Sequence, residues 1–190
     1  MSLFGQSLRE HEEASRAAAA RHHDPASTVG GMSHGEIRVL TALIQHPAGL
    51  TNDQISVFVA LRQSTRRRYL QFLKQRAFVK QKVDQPGIFF ATDAGRAAIP
   101  DLEPLPTGAE LRDYWLRELP DGERRVLAAL IDVYPGRLGI EELGERVNLR
   151  QSTRRRYLQF LAARRLVERQ GNTVAACATL FDTYASEAHA

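Results

Sequence analysis

The sequence predicts a mainly α-helical α+β protein built as two tandem copies of one unit, each of three helices followed by a β-hairpin. Two observations carry this. The thirteen-residue stretch LRQSTRRRYLQFL occurs twice without a change, at residues 61–73 and 149–161. The residues upstream of each copy also align: GEIRVLTALI at 35–44 matches GERRVLAALI at 122–131 at all but two positions. At 190 residues the chain suits two small domains, each large enough to hold a core.

The elements follow in order. Ser33-His34-Gly35-Glu36 has the pattern of a capping box, and Ile37, Leu40, Leu43 and Ile44 then recur at helical spacing. Pro47 and Gly49 stop this first helix. Thr51-Asn52-Asp53-Gln54 is a second capping box and opens a short helix carrying Ile55, Phe58 and Val59. In the second copy Gly139 takes the cap position, and Ile140, Leu143 and Val147 form the apolar stripe. The duplicated segment is the third helix. Residues 78–83 and 88–91 read as strands about the turn Asp84-Gln85-Pro86-Gly87. In the second copy residues 166–170 and 173–177 do the same about Gly171-Asn172.

The predicted boundaries are an N-terminal helix and flexible joint at 1–32, a first domain at 33–100, a linker at 101–120 and a second domain at 121–190. The linker is stiffened by Pro104 and Pro106, with Pro100 just before it, and ends in a helix over 109–119. Residues 3–21, rich in alanine, are the expected counterpart of that helix.

Charge is distributed unevenly. The chain carries 26 basic and 22 acidic residues, a net charge of +4. Twelve of the 26 basic residues lie in residues 61–78 and 149–166, which contain no acid, leaving 14 basic against 22 acidic residues elsewhere. The basicity is a local footprint of the kind that meets nucleic-acid phosphate. No apolar run approaches the roughly 20 residues of a membrane helix, so no membrane partner is expected. The first residues are too charged for a secretory signal. A single cysteine, Cys177, leaves neither an intrachain disulfide nor a cysteine zinc cluster. A cytoplasmic, nucleoid-associated location is the expectation.

This order of elements, with a Ser-Thr step opening the third helix, resembles the winged helix-turn-helix family. Residues Gln63-Ser64-Thr65-Arg66-Arg67-Arg68-Tyr69-Leu70 look like its recognition-helix opening, and Leu73-Lys74-Gln75-Arg76-Ala77-Phe78-Val79 like its exit into the wing. Phe90-Ala91-Thr92-Asp93-Ala94-Gly95-Arg96 is similar to the strand-to-helix exit of MarR-like regulators. The resemblance covers most of residues 33–99 and 121–181 and implies two tandem winged helix-turn-helix domains. It departs from the family pattern at Arg66 and Arg154, where a small apolar core residue is usual. It departs again at Arg62 and Arg150, which stand at the cap of the third helix in place of Ser, Thr or Asp.

At 100° per residue, Arg66, Tyr69, Leu70 and Leu73 share one side of the third helix, and Ser64, Arg67, Arg68, Gln71 and Gln75 the other, polar side. Phe72 falls on the flank and is expected to pack on the hairpin. Arginine can bond guanine O6 and N7 together, and glutamine can do the same to adenine. Arg62, Gln63, Ser64, Thr65, Arg67, Arg68 and Gln71 are therefore the candidate DNA-binding residues of the first copy, with Lys80 and Lys82 placed to grip flanking backbone. Arg150, Gln151, Ser152, Thr153, Arg155, Arg156, Gln159 and Arg169 are those of the second. A run of arginines on one helix is most often a solvated face. Its exact repetition, while the preceding helix diverges, favours a reader of double-stranded DNA, because packing alone gives no reason to keep Arg67, Arg68 and Gln71.

Other clusters read as structural. His22-His23-Asp24 is a loop without a second ligand group, and Asp53, Glu141 and Glu142 are helix-dipole partners. Cys177 is a core residue, and Tyr114 and Trp115 pack the linker helix onto a domain. No phosphate loop, metal-ligand spacing or nucleophile constellation is present, so neither an enzyme nor a cofactor is expected. The leading expectation is a sequence-specific DNA-binding protein, a bacterial or mobile-element transcriptional regulator reading two similar half-sites. A plasmid-type replication initiator on repeated sites and a condensin-accessory-like protein-interaction scaffold are the alternatives, and a protein partner or self-association is compatible with each.

Overall fold

In the computed structural model, residues 31–81 and 84–182 are described. Residues 3–21, His22-His23-Asp24 and Lys82 lie outside the described residues, as does most of the expected flexible joint. The chain divides at His34, and the described residues from Gly35 onward form one compact unit holding both repeats.

The protein is α+β, with eight α-helices and two three-stranded antiparallel sheets among the described residues. The first repeat runs α1 (His34–Gln45), β1 (Leu50–Thr51), α2 (Asn52–Val59), α3 (Gln63–Gln75), β2 (Val79–Gln81), β3 (Ile88–Ala91) and α4 (Asp93–Ala97). Helix α5 (Gly108–Glu118) links it to the second repeat: α6 (Asp121–Ile131), β4 (Leu138–Gly139), α7 (Ile140–Arg146), α8 (Gln151–Ala163), β5 (Val167–Gln170) and β6 (Thr173–Ala176). A 3-10 turn, Ala178–Leu180, follows where the first repeat has α4.

The sheets share one topology. β3 lies between β1 and β2, with Leu50 opposite Phe89 and Val79 opposite Ala91. β6 lies between β4 and β5, with Leu138 opposite Val174 and Val167 opposite Ala176. Each sheet therefore has a strand that the sequence did not predict. β1 and β4 are two residues long, too short to show any alternation.

Helix starts follow the expected chemistry where the residues allow it. Thr51 Oγ1 accepts from Gln54 N (3.3 Å) while Gln54 Oε1 accepts from Thr51 N (2.9 Å), a complete capping box. At Gly139 only half survives: Glu142 Oε2 accepts from Gly139 N at 3.2 Å, and glycine has no side chain to answer. Thr92 caps α4 by accepting from Gly95 N at 3.0 Å.

Each repeat buries its own apolar face. Leu40, Leu43, Ile55, Phe58 and Leu73 fill the first core, and Leu127, Leu130, Leu143, Leu161 and Leu166 the second. Ile37 and Ile44, predicted on the first core face, sit half-buried at its margins. Gly35 and Tyr69 meet in the first repeat, and Gly122 and Tyr157 in the second, so closely that a Cβ on either glycine would overlap the tyrosine ring. That contact is a packing reason for both tyrosines within the duplicated segment.

The proline-bearing connection does not hold the repeats apart. Leu105 N donates to Gln45 Oε1 (3.0 Å) and Gln45 Nε2 to Leu105 O (3.3 Å), which fastens the connection to α1. Trp115, 4% exposed, donates from Nε1 to Val57 O at 3.0 Å and seats α5 on α2. On its other side Arg112 Nη1 donates to Leu180 O at 3.1 Å, beside the stacked rings of Tyr134 and Phe181. Burial raises the Tyr114 hydroxyl above its usual pKa, opposed by the charge of Arg38 and a hydrogen bond with it, while Glu118 adds to the rise.

Candidate functional site

The duplicated segment forms α3 and α8, thirteen residues each, starting two residues later than the segment itself. Both open without a side-chain cap. Arg62 and Arg150 stand at the cap positions in extended backbone, and a guanidinium has no acceptor to offer, so neither side chain caps the first-turn N–H groups of its helix. Positive potential from these N–H groups adds to that of the arginines beside them.

The helices place their inner and outer faces as 100° spacing predicts. Arg66, Leu70 and Leu73 are buried in α3, and Arg154, Leu158 and Leu161 in α8. Gln63, Ser64, Arg67, Arg68 and Gln71 are all exposed and together line one open depression of about 380 Å³. Gln151, Ser152, Arg155 and Gln159 are exposed on α8, while Arg156 is half-buried with its guanidinium 5.5 Å from the Phe160 ring centre. Thr65 and Thr153 are half-buried. Among the described residues, neither Arg67 nor Arg155 is in an ion pair.

The arginine run is divided by the fold into different tasks. Arg66 is 6% exposed and donates from Nη1 to Ser56 Oγ on α2. Burial lowers its pKa, opposed by the charge of Asp53 and reinforced by that of Arg165. Arg154 is 4% exposed and donates from Nη2 to Glu141 Oε1 at 2.7 Å. Its Nη1 fills the space where a side chain on Gly144, the counterpart of Ser56, would begin. Arg164 pairs with fully buried Glu123 at 3.1 Å, and Arg165 with Asp53 at 3.1 Å. At least four of the twelve cations counted in the two basic segments thus belong to the fold. Two of them are held by acids expected to be dipole partners, Arg154 by Glu141 and Arg165 by Asp53, while Glu142 caps its helix.

The hairpins carry the remaining candidate residues. Lys80 is exposed on β2, and Arg169 on β5 donates from Nε to Gly171 O at 3.2 Å, which ties it to its own turn. Phe72 does not pack on the hairpin. It is 45% exposed, because the sheet approaches α3 from the opposite flank. There Lys74 Nζ donates to Gln81 Oε1 at 2.8 Å and lies 4.9 Å from the Phe89 ring centre. Arg137, which the sequence did not single out, braces the second hairpin through Glu168 O (2.9 Å) and Thr173 Oγ1 (3.1 Å). No local pattern marks it, since its acceptors lie more than thirty residues away.

Among the described residues no helix is long and apolar enough to cross a membrane, and no three His, Cys, Asp or Glu side chains gather as metal ligands would. Cys177 is buried, and that burial pushes its thiol up to about 12. Comparison of the chain with protein-family models, curated proteins and solved structures finds no match in any of the three.

Proposed function

We propose that this chain is a sequence-specific double-stranded DNA-binding protein, a transcriptional regulator with two tandem winged helix-turn-helix domains whose α3 and α8 are identical recognition helices. The observation that carries this reading is the outer face of α3, where Gln63, Ser64, Arg67, Arg68 and Gln71 come together exposed, with α8 repeating the same residues. The fold accounts for several of the other retained residues. Arg66, Tyr69, Leu70 and Leu73 have packing partners, whereas Arg67 and Gln71 have none among the described residues that would keep them identical in both copies.

The chemistry suits the major groove. A helix with its free N–H groups and short hydroxyls at one end meets phosphate oxygens, while Arg67, Arg68 and Gln71 further along reach base edges. Lys80 sits on the neighbouring strand, where a flanking phosphate would lie. An α-helix fits the roughly 12 Å major groove without deforming it.

Selection from random duplexes tests this reading. The full-length protein is mixed with random-sequence double-stranded DNA, and retained fragments are sequenced over several rounds. Enrichment of one short motif is expected, with a selected duplex bound about 10³-fold or more tighter than a scrambled one. Equal affinity for selected and scrambled duplexes contradicts it.

A further inference from the structure

The two repeats touch through different surfaces. On the first repeat the contact is made by α2: its Val57, 1% exposed, is covered where Trp115 of α5 bonds its carbonyl. The same helix packs on the Ala178–Leu180 turn of the second repeat, and its Asp53 pairs with Arg165 just beyond α8. The counterpart of Val57 on α7 is Glu145, which is exposed, and next to it Arg146 pairs with Asp132 of its own repeat at 3.4 Å. The counterparts of Asp53 and Arg165 are Glu141 and Ala77. Glu141 is held inside its own repeat by Arg154, and Ala77 carries no charge.

The contact therefore runs one way. A two-fold axis requires each surface to meet its own equivalent, so that whatever the first repeat gives the second it also receives. A surface that is apolar and covered on one repeat but charged and solvated on the other cannot be shared in that manner. Two identical half-complexes on a duplex are related either by a dyad across the helix axis, giving inverted half-sites, or by a screw along it, giving direct ones. With the dyad removed, only the screw remains.

We infer that this chain reads two half-sites in the same orientation, a direct repeat in double-stranded DNA, and not the palindrome of a two-fold dimer. The inference rests on the proposal that α3 and α8 both read DNA. Their spacing is then about 10 to 10.5 bp or a multiple of it, if both stand on one face of the duplex. One chain fills one pair. The charged outer face of α7, with Glu145 and Arg146 in water, gives the array a polar end of the kind that stops a repeat stack from growing.

Duplexes test it, built from the half-site that selection yields and carrying one copy, two direct copies or two inverted copies at centre spacings of about 10, 11, 20 and 21 bp. Affinity and the number of chains per duplex are measured together. Tenfold or greater tightening on a direct pair at one spacing, with one chain bound and inverted pairs no better than a single site, is the expected result. Direct pairs no tighter than a single half-site, or one chain preferring an inverted pair, overturn the inference while leaving DNA reading intact. Failure of every duplex to exceed scrambled DNA overturns the reading beneath it. Val57→Glu, which gives α2 the residue of α7, should abolish the gain from pairing and keep the affinity for a single half-site. Asp53→Ala, a surface change that leaves both cores whole, should weaken the same gain in the same direction. If neither variant alters the gain, the interface does not set the orientation and the inference fails.

Discussion

Asp53 Oδ1 lies 3.1 Å from Arg165 Nε, and this ion pair joins the second helix of one repeat to the end of the third helix of the other. The corresponding acid of the second repeat, Glu141, has a longer side chain and reaches the buried arginine of its own repeat at 2.7 Å. Asp53 is one methylene shorter. In its repeat Ser56 takes the buried arginine instead, and the carboxylate is left to face outward to Arg165.

Because both partners are about half exposed, at 51% and 56%, the pair adds little stability. A double-mutant cycle with Asp53→Ala and Arg165→Ala should give a coupling of about 0.2 to 1 kcal/mol. Urea unfolding at low and high salt checks this, with the coupling shrinking as salt rises.

The pair inside the second repeat is different. Glu123 is fully buried and holds Arg164 at 3.1 Å. Glu123→Ala strands the guanidinium of Arg164, a side chain about a third exposed, and should cost about 2 to 4 kcal/mol. The midpoint and slope of a urea titration measure the loss.

Adjacent arginines should behave in opposite ways. Arg67→Ala and Arg155→Ala should each weaken binding to the selected duplex by about 1 to 3 kcal/mol. Both should leave folding stability within about 0.5 kcal/mol. Arg66→Ala should instead destabilise the fold by about 1 to 3 kcal/mol, since it leaves a void beside Ser56. Fluorescence anisotropy and thermal unfolding on the same samples separate the two effects.

Cys177 gives a pH dependence with a definite sign. Its folded pKa, pushed up to about 12, stands above the ordinary 9.0, so the folded state favours the neutral thiol. The stabilising contribution is complete below pH 9 and is lost as pH rises toward 12. Cys177→Ala should fall less steeply than the parent over that window. At pH 8 the native thiol should resist alkylation until urea unfolds the chain.

Much of the fold was legible because helical spacing and capping residues are local signals. Thr51 and Gln54 cap each other as their spacing implies, and Leu40, Leu43, Leu70 and Leu73 point inward. The outer face of α3 was legible for the same reason. The fate of Arg66 and Arg154 was only half so: spacing set Arg66 beside Tyr69, Leu70 and Leu73, but the acceptors of the two arginines, Ser56 and Glu141, sit on another helix. Phe72 misled because a helical wheel has two flanks and does not say which one a sheet will approach. The asymmetry between Val57 and Glu145 was visible in the aligned copies, yet it acquires meaning only once Trp115 is seen covering one of them.

Protection of guanine N7 from methylation on the selected duplex tests the central claim most directly, because that atom is the one an arginine in the major groove covers. The full-length protein should protect two patches about 10 to 10.5 bp, or a multiple, apart. Arg67→Ala should uncover one patch and Arg155→Ala the other. A bound complex in which no guanine N7 is protected, or in which both variants protect as the parent does, would contradict it.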